Sequence, residues 1–198
     1  MKRLSRIGIF GGSFDPPHMG HLIIAELVRQ QLALDRVVFV PAFTPPHKKG
    51  NHASTAFDRL HMTRLAVRGN PHFSVSDLEV RREGISYTVD SLRVFKRRHP
   101  HARLYLIIGS DTLGQFWQWK SPREILSLAT PAVYSRPGFE RARAPRGRPL
   151  ARIKGPLLQI SSTQIRKRIA AKKSVRYLVP DAVRQLILRR NLYSRSRI

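Results

Sequence analysis

Cysteine is absent from this chain of 198 residues, so it can form neither a disulfide nor a thiolate metal site. That absence suits an intracellular protein. Acidic residues are scarce: 12 Asp and Glu face 37 Lys and Arg, for a formal net charge of +25. Long hydrophobic runs are missing too. The apolar stretch after the basic residues Lys2, Arg3 and Arg6 covers only residues 7–10, too short for the apolar region of a signal peptide. No span reaches transmembrane length, and the expectation is a soluble cytoplasmic protein with no membrane partner. There is no internal repeat. The GxGxxG spacing of dinucleotide folds is also absent, which disfavours an NAD-dependent oxidoreductase. What remains is a 41% hydrophobic composition in the globular range. The length suits one domain spanning 1–198.

The stretch Ile7-Gly8-Ile9-Phe10-Gly11-Gly12-Ser13-Phe14-Asp15-Pro16-Pro17-His18-Met19-Gly20-His21-Leu22 carries the most chemistry. An apolar run breaks at a glycine pair. A turn with Asp15, Pro16 and Pro17 follows, then His18 and His21 around Gly20, then the helical apolar pattern of Leu22, Ile23, Ile24 and Leu27. Strand, glycine turn, histidine pair and helix start come in an order that suits holding a phosphate during transfer. Glycines let backbone N–H groups approach closely, and a helix start adds free donors and a partial positive charge. Two imidazoles add side-chain donors. The same pair could instead ligate a metal from one helical face, but Met19-Gly20 between them does not make the HExxH pattern.

Further along, Ile160-Ser161-Ser162-Thr163-Gln164-Ile165-Arg166 places three hydroxyls at a strand-to-helix junction, with an arginine fork one turn on. Such a segment can cap a helix and hold phosphate oxygens. An ordinary cap with a solvated arginine is the plainer alternative for the segment taken alone.

Apolar runs predict strands at 6–10, 37–40, 73–75, 104–108, 132–135 and about 153–160. Periodicity predicts helices at 20–32, 54–67, 88–98, 122–128, 163–170 and 181–189, with Ser54, Asp181 and Ser162 as candidate caps. This βα alternation implies an α/β fold with a parallel sheet and helices on both faces. Ligands in such sheets sit beyond the carboxyl ends of the strands, and the first of these ends is at Phe10-Gly11. Residues 139–149, rich in Arg, Pro and Gly, read as an exposed loop. The basic clusters around 141–154, 166–173 and 189–197 read mainly as solvated faces. A nucleic-acid partner is not expected, although the charge leaves it open.

Other residues have the chemistry for a second substrate. Lys48, in Pro45-Pro46-His47-Lys48, can meet a phosphate. Thr88, in Ser86-Tyr87-Thr88, can cap a helix or bond a ligand. Asp111, in Gly109-Ser110-Asp111, can accept from a ribose hydroxyl. Either tryptophan of Phe116-Trp117-Gln118-Trp119 offers a flat face to an aromatic ring, or simply packs in the core.

GGSFDPPHMGHL resembles the motif of the nucleotidyltransferase superfamily with an HxGH element, and ISSTQIR resembles that superfamily's second motif. The internal segments PPHK, SYT, GSD and FWQW, with the chain end through Tyr193, are similar to the bacterial nicotinate-nucleotide adenylyltransferases over about residues 6 to 193. The resemblance implies a Rossmann-like nucleotidyltransferase fold. It also implies transfer of adenylyl from ATP to nicotinate mononucleotide, giving deamido-NAD and pyrophosphate, a step of NAD biosynthesis. His18 and His21 would be catalytic. Gly11, Gly12, Ser13, Phe14, Asp111, Arg136, Ser161, Thr163 and Arg166 would bind ATP with them. Lys48, Thr88 and Trp119 would bind the acceptor, Trp119 rather than Trp117 stacking on the pyridine ring. Mg²⁺ would arrive with ATP, with no protein metal ligand named. Nicotinamide mononucleotide and phosphopantetheine are the alternative acceptors, and a basic nucleic-acid-binding protein retaining the fold is a distant one. The chain departs from the family pattern in Ser13 where Thr is usual, in a shortened loop after Gly138, in the extra Trp117 and in its charge. Oligomeric state is left open.

Overall fold

The computed structural model describes residues 4–46, 53–139 and 150–194. Lys48, residues 140–149 of the predicted loop and residues 195–198 lie outside the described residues.

Six parallel strands form one sheet: β1 (Arg6–Gly12), β2 (Arg36–Pro41), β3 (Phe73–Val75), β4 (Arg103–Gly109), β5 (Ala129–Tyr134) and β6 (Ala151–Ile153). Their order is β3-β2-β1-β4-β5-β6. β1 therefore pairs with β2 on one side, Phe10 opposite Phe39, and with β4 on the other, Ile9 opposite Leu106. The order reverses between β1 and β4. The connections leaving these two strands diverge to opposite faces and open a crevice at their carboxyl ends.

Eight helices complete the described fold: α1 (Met19–Gln31), α2 (Ala56–Val67), α3 (Leu78–Arg82), α4 (Thr88–Arg98), α5 (Ser110–Leu113), α6 (Pro122–Leu128), α7 (Ser162–Ala170) and α8 (Asp181–Arg189). A 3-10 turn spans Phe116–Gln118. Alternation along the strands builds the two cores. Ile7 and Ile9 of β1 and Leu104, Leu106 and Ile108 of β4 face Val89, Leu92 and Phe95 of α4 and Ile125 of α6. Phe10, Val37, Phe39 and Ile107 point the other way, onto Ile24, Ala25 and Val28 of α1. Gly8 leaves room there: a Cβ on it would come within 2.8 Å of the Leu34 side chain. A third cluster joins α2 to the chain end through Met62, Ile165, Val183 and Tyr193. Each buried Ile, Leu or Phe in these clusters contributes about 1.5–3 kcal/mol.

Five of the six predicted strands and all six predicted helices exist, with corrections at their ends; of the strand expected at about 153–160 only Ile153 is in a strand, at the end of β6. β5 begins three residues earlier than expected. The last strand stops at Ile153, not near Ile160, because Gln31 of α1 takes over its pairing: the Lys154 N–H donates to the Gln31 side chain, whose amide donates back to the Lys154 carbonyl. Pro156, without an N–H, follows. Thr55, not Ser54, caps α2, accepting from the Asp58 N–H at 3.0 Å. Ser161, not Ser162, caps α7, and Asp181 lies inside α8 with Pro180 at the cap position. α3, α5 and the 3-10 turn were not anticipated, being too short for a periodic pattern. Among the described residues no helix is long and apolar enough to cross a membrane.

Candidate active site

A cavity of about 440 Å³ opens where the sheet order reverses. Gly11, Gly12 and Ser13 line it from the end of β1, His18 and His21 from α1, and Asp111 and Arg136 from beyond β4 and β5. Thr88 and Trp119 line its other part. A Cβ on Gly11 would meet no protein atom within 4 Å, so this glycine faces the open space of the cavity. Its backbone is bare to whatever enters there.

The histidines are arranged by the helix start. His18 is the N-cap of α1, in extended geometry, and its backbone N–H donates to Nδ1 of His21 at 3.1 Å. The two rings stack with centroids 3.7 Å apart. The His18 ring turns back over the first helical turn, and its buried Nδ1 forms no hydrogen bond. Gly20 lies close beneath it: a Cβ there would come within 3.1 Å of that Nδ1, a tight contact that would press on the ring. Burial first, and then the nearby Arg136, push the His18 pKa down to about 3. Burial, His18 and Arg136 hold His21 well below its usual value as well. Both rings are therefore neutral near pH 7. With Nδ1 of His21 accepting, its proton resides on Nε2. That makes His21 a neutral donor.

Arg136 brings a positive charge to this side of the cavity, offset by Asp111 at 3.8 Å. The Arg136 N–H donates to the buried Ser110 hydroxyl, which fixes the segment after β5 to the end of β4. Gly109 permits this closeness: a Cβ there would collide with Asp111 and lie 3.2 Å from Arg136.

The second motif is brought to the first. The Ser162 hydroxyl donates to the Pro16 carbonyl at 2.8 Å, and Nη1 of Arg166 donates to the Asp15 carbonyl at 2.7 Å. Thr163 accepts from Nη2 of Arg166 at 3.3 Å. Ser161 and Gln164 close a reciprocal capping box. Thus α7 starts beside the histidine turn, with Ile160 in the cavity wall. Ser161, Thr163 and Arg166 stand outside the cavity lining. The Phe14 side chain is buried and packs edge-on against His21, with centroids 5.0 Å apart.

On the other side, Trp119 packs at a tilt on Phe116, with its buried indole N–H unpartnered. Lys120 ties the tryptophan turn to α4. Its ammonium sits 4.5 Å from the Tyr87 ring centre and 3.1 Å from Asp90. Trp117 is half exposed and lies outside this cavity.

Sequence reasoning missed the layer behind the site. Arg59 is buried on α2 and donates to the carbonyls of Ser13, Ala42 and Phe43 at 3.0, 2.5 and 2.8 Å. It shares the i, i+3, i+4 face of Met62 and Thr63, a cation on an apolar stripe that could have been noticed. Asp15 is buried too, accepting from Ser54 at 2.5 Å and from the Tyr193 hydroxyl at 2.6 Å.

A parallel sheet with its crevice at a switch point, a glycine turn feeding a histidine-capped helix and a second capped helix docked beside it define a nucleotidyltransferase. The model of the cytidylyltransferase-like family matches residues 9–168. A Salinibacter ruber protein described as "Probable nicotinate-nucleotide adenylyltransferase" is 46% identical over 189 residues, which cover 94% of this chain and 97% of that one. An Exiguobacterium sibiricum protein of the same description is also 46% identical, over 96% and 99% of the two chains. The structure of Plasmodium falciparum nicotinic acid mononucleotide adenylyltransferase complexed with NaAD has the same fold. Its TM-score is 0.78 at 22% identity, over 96% of this chain and 98% of that one. The chain belongs to the cytidylyltransferase-like family and, within it, to the nicotinate-nucleotide adenylyltransferases.

Proposed function

We propose that the protein transfers the adenylyl group of ATP to nicotinate mononucleotide, giving deamido-NAD and pyrophosphate. The observation that carries the reading is the stacked pair His18 and His21 at a helix start facing a cavity, within a chain 46% identical to relatives described by this activity. An oxygen of the acceptor's phosphate attacks the α-phosphorus in line. The bond to the bridging α–β oxygen breaks, and pyrophosphate leaves with that electron pair. No covalent enzyme intermediate is needed.

Attacker and target are both anionic, so the protein's task is alignment and charge neutralisation. His21 donates from Nε2 to the α-phosphate, and His18 beside it is the second imidazole donor. Gly11, Gly12 and Ser13, with the adjoining Phe14 backbone, supply N–H donors. Arg136 neutralises, and Asp111 accepts from a ribose hydroxyl. Ser161, Thr163 and Arg166 serve the β- and γ-phosphates. For this, Arg166 keeps one nitrogen on Asp15 and turns the rest of its fork outward. Thr88 and Trp119 receive the pyridine ring, and Lys48 belongs to the acceptor phosphate. ATP would enter as its Mg²⁺ complex, and the ion would help neutralise phosphate charge. Among the described residues no group of three or more His, Asp or Glu gathers to hold one alone.

The test is pyrophosphate release from ATP and Mg²⁺, with nicotinate and nicotinamide mononucleotides supplied separately. Release with the nicotinate form and little with the other is the expected result. Equal release moves the acceptor assignment. No release with either overturns the reading.

A further inference from the structure

One buried carboxyl in the cavity wall is left without a task by this reaction. Glu79, on the short helix α3, is 6% exposed, yet it lines the same cavity as Thr88 and Trp119. It sits at the junction of three segments. The Ser91 hydroxyl, one turn into α4, donates to its Oε1 at 2.5 Å, and the nearby Ser86 hydroxyl favours its charged form. Ser86 in turn accepts from the Phe43 N–H at 2.9 Å, and its own N–H donates to the Thr44 carbonyl at 2.8 Å. A parallel bridge pairs Thr44 with Ile85. Beyond Phe43 the chain of contacts reaches Arg59 and, through it, the Ser13 carbonyl.

The local sequence explains the placement. α3 ends in two left-handed residues, Glu83 at φ 58° and Gly84 at φ 65°, which turn the chain back so that Ser86-Tyr87-Thr88 runs past Glu79. Tyr87 is the N-cap of α4 and has no side-chain cap hydrogen bond. The start of α4 is therefore held from outside, by Glu79 through Ser91 after the cap and by the bonds of Ser86 to Phe43 and Thr44 before it. Apolar residues would pack this wall more cheaply than a carboxyl with two hydroxyls. Burial raises the carboxyl's pKa, and the two serine hydroxyls and Arg82 counter it. What a polar junction adds over an apolar one is direction: it fixes where the first N–H groups of α4 and the Thr88 side chain point.

We propose that Glu79 is a positioning residue for the acceptor, acting through Ser91 to aim the N-terminus of α4 and Thr88 at the pyridine substituent. The proposal rests on the acceptor assignment above. It requires the effect of Glu79 to fall on one substrate. A Trp117→Phe background leaves Trp119 as the single tryptophan, a reporter inside the cavity. In that background Glu79→Ala raises the KM for nicotinate mononucleotide tenfold or more, and raises the Kd read from Trp119 fluorescence in parallel. The KM for ATP stays within twofold. Glu79→Gln, which keeps the shape and an acceptor for Ser91, restores most of the loss. Equal loss toward both substrates, a fall in kcat alone, or unchanged constants overturns the proposal. If Glu79→Ala does not fold, Ser91→Ala carries the same expectation at smaller size and the same grounds for rejection. A parent protein that neither turns over the acceptor nor changes fluorescence with it marks a failure of the acceptor assignment instead.

Discussion

A histidine that must donate a hydrogen bond without carrying charge needs burial, a nearby cation and an occupied second nitrogen, and His21 has all three. Its Nδ1 takes the His18 N–H, Arg136 disfavours protonation, and Phe14 closes off water from one side. The donor at Nε2 is thus present before substrate arrives and needs no proton from solvent. Replacing His18 with Ala should lower kcat by about 10²–10³, the scale of losing one preorganised donor, while circular dichroism stays native. Near-wild-type turnover would remove His18 from the mechanism. The pKa depressions also set a pH dependence. Below pH 6.5 unfolded histidines take up protons, whereas the folded His18 does not until about pH 3. The unfolded state binds more protons in that window, so stability falls as pH drops through it, by up to about 1.4 kcal/mol per pH unit for each such histidine. Urea midpoints measured from pH 7.5 down to 5 should decline, and decline less steeply in His18→Ala. The rate profile over pH 6–9 should show no inflection near 6.5 from either ring.

The elements around the histidine turn show how much a sequence reveals and where it stops. Strands β1, β2 and β4 announce themselves as apolar runs, and α1 by its stripe, because each satisfies one periodic rule over many residues. The two motifs were legible because each leads into a capped helix, although the strand expected directly before the second ends at Ile153 and leaves an irregular segment ahead of Ser161. What was hidden is contact between distant segments. Nothing in Asn191-Leu192-Tyr193 says that the tyrosine reaches back to Asp15, or that Arg190 pairs with Asp58 at 2.5 Å. Nor does Ser54 show that it leaves the cap to Thr55 and joins the same carboxylate. Glu79 lies on a helix of five residues, too short to have a readable face. These contacts make the chain end a brace for the first motif, alongside the Met19 N–H bonded to the Leu178 carbonyl at 2.9 Å. Tyr193→Phe removes one donor from a buried carboxylate that keeps Ser54. It should cost about 1–3 kcal/mol, read as a lower urea midpoint at unchanged m. Activity at saturating substrate should survive well below that midpoint. An unchanged midpoint would mean that the brace lies elsewhere.

Over the whole molecule, charge is the feature that neither fold nor reaction requires. The chain carries a net +25, and both proposed substrates are phosphorylated. A field of that sign raises the encounter rate with anions, and salt screens it: the Debye length shrinks from about 10 Å at 0.1 M to about 3 Å at 1 M. Steering acts before the chemical step, so salt should lower kcat/KM while kcat, set inside the cavity, changes little. The same field draws any polyanion. A random oligonucleotide should compete with ATP at low ionic strength, and its binding should weaken with a steep log–log slope as salt rises, because it depends on counterion release. Nonspecific binding of that kind has Kd values of about 10⁻⁴–10⁻⁶ M at physiological salt. A titration from 0.05 to 0.5 M salt, read both as kcat/KM and as oligonucleotide anisotropy, separates two roles for the charge. Weak, salt-erased oligonucleotide binding with a declining kcat/KM assigns it to substrate capture. Nanomolar binding that persists at 0.15 M would assign part of it to nucleic acid. The basic surface would then be a binding face in its own right, carried on an enzyme whose cavity does not need it.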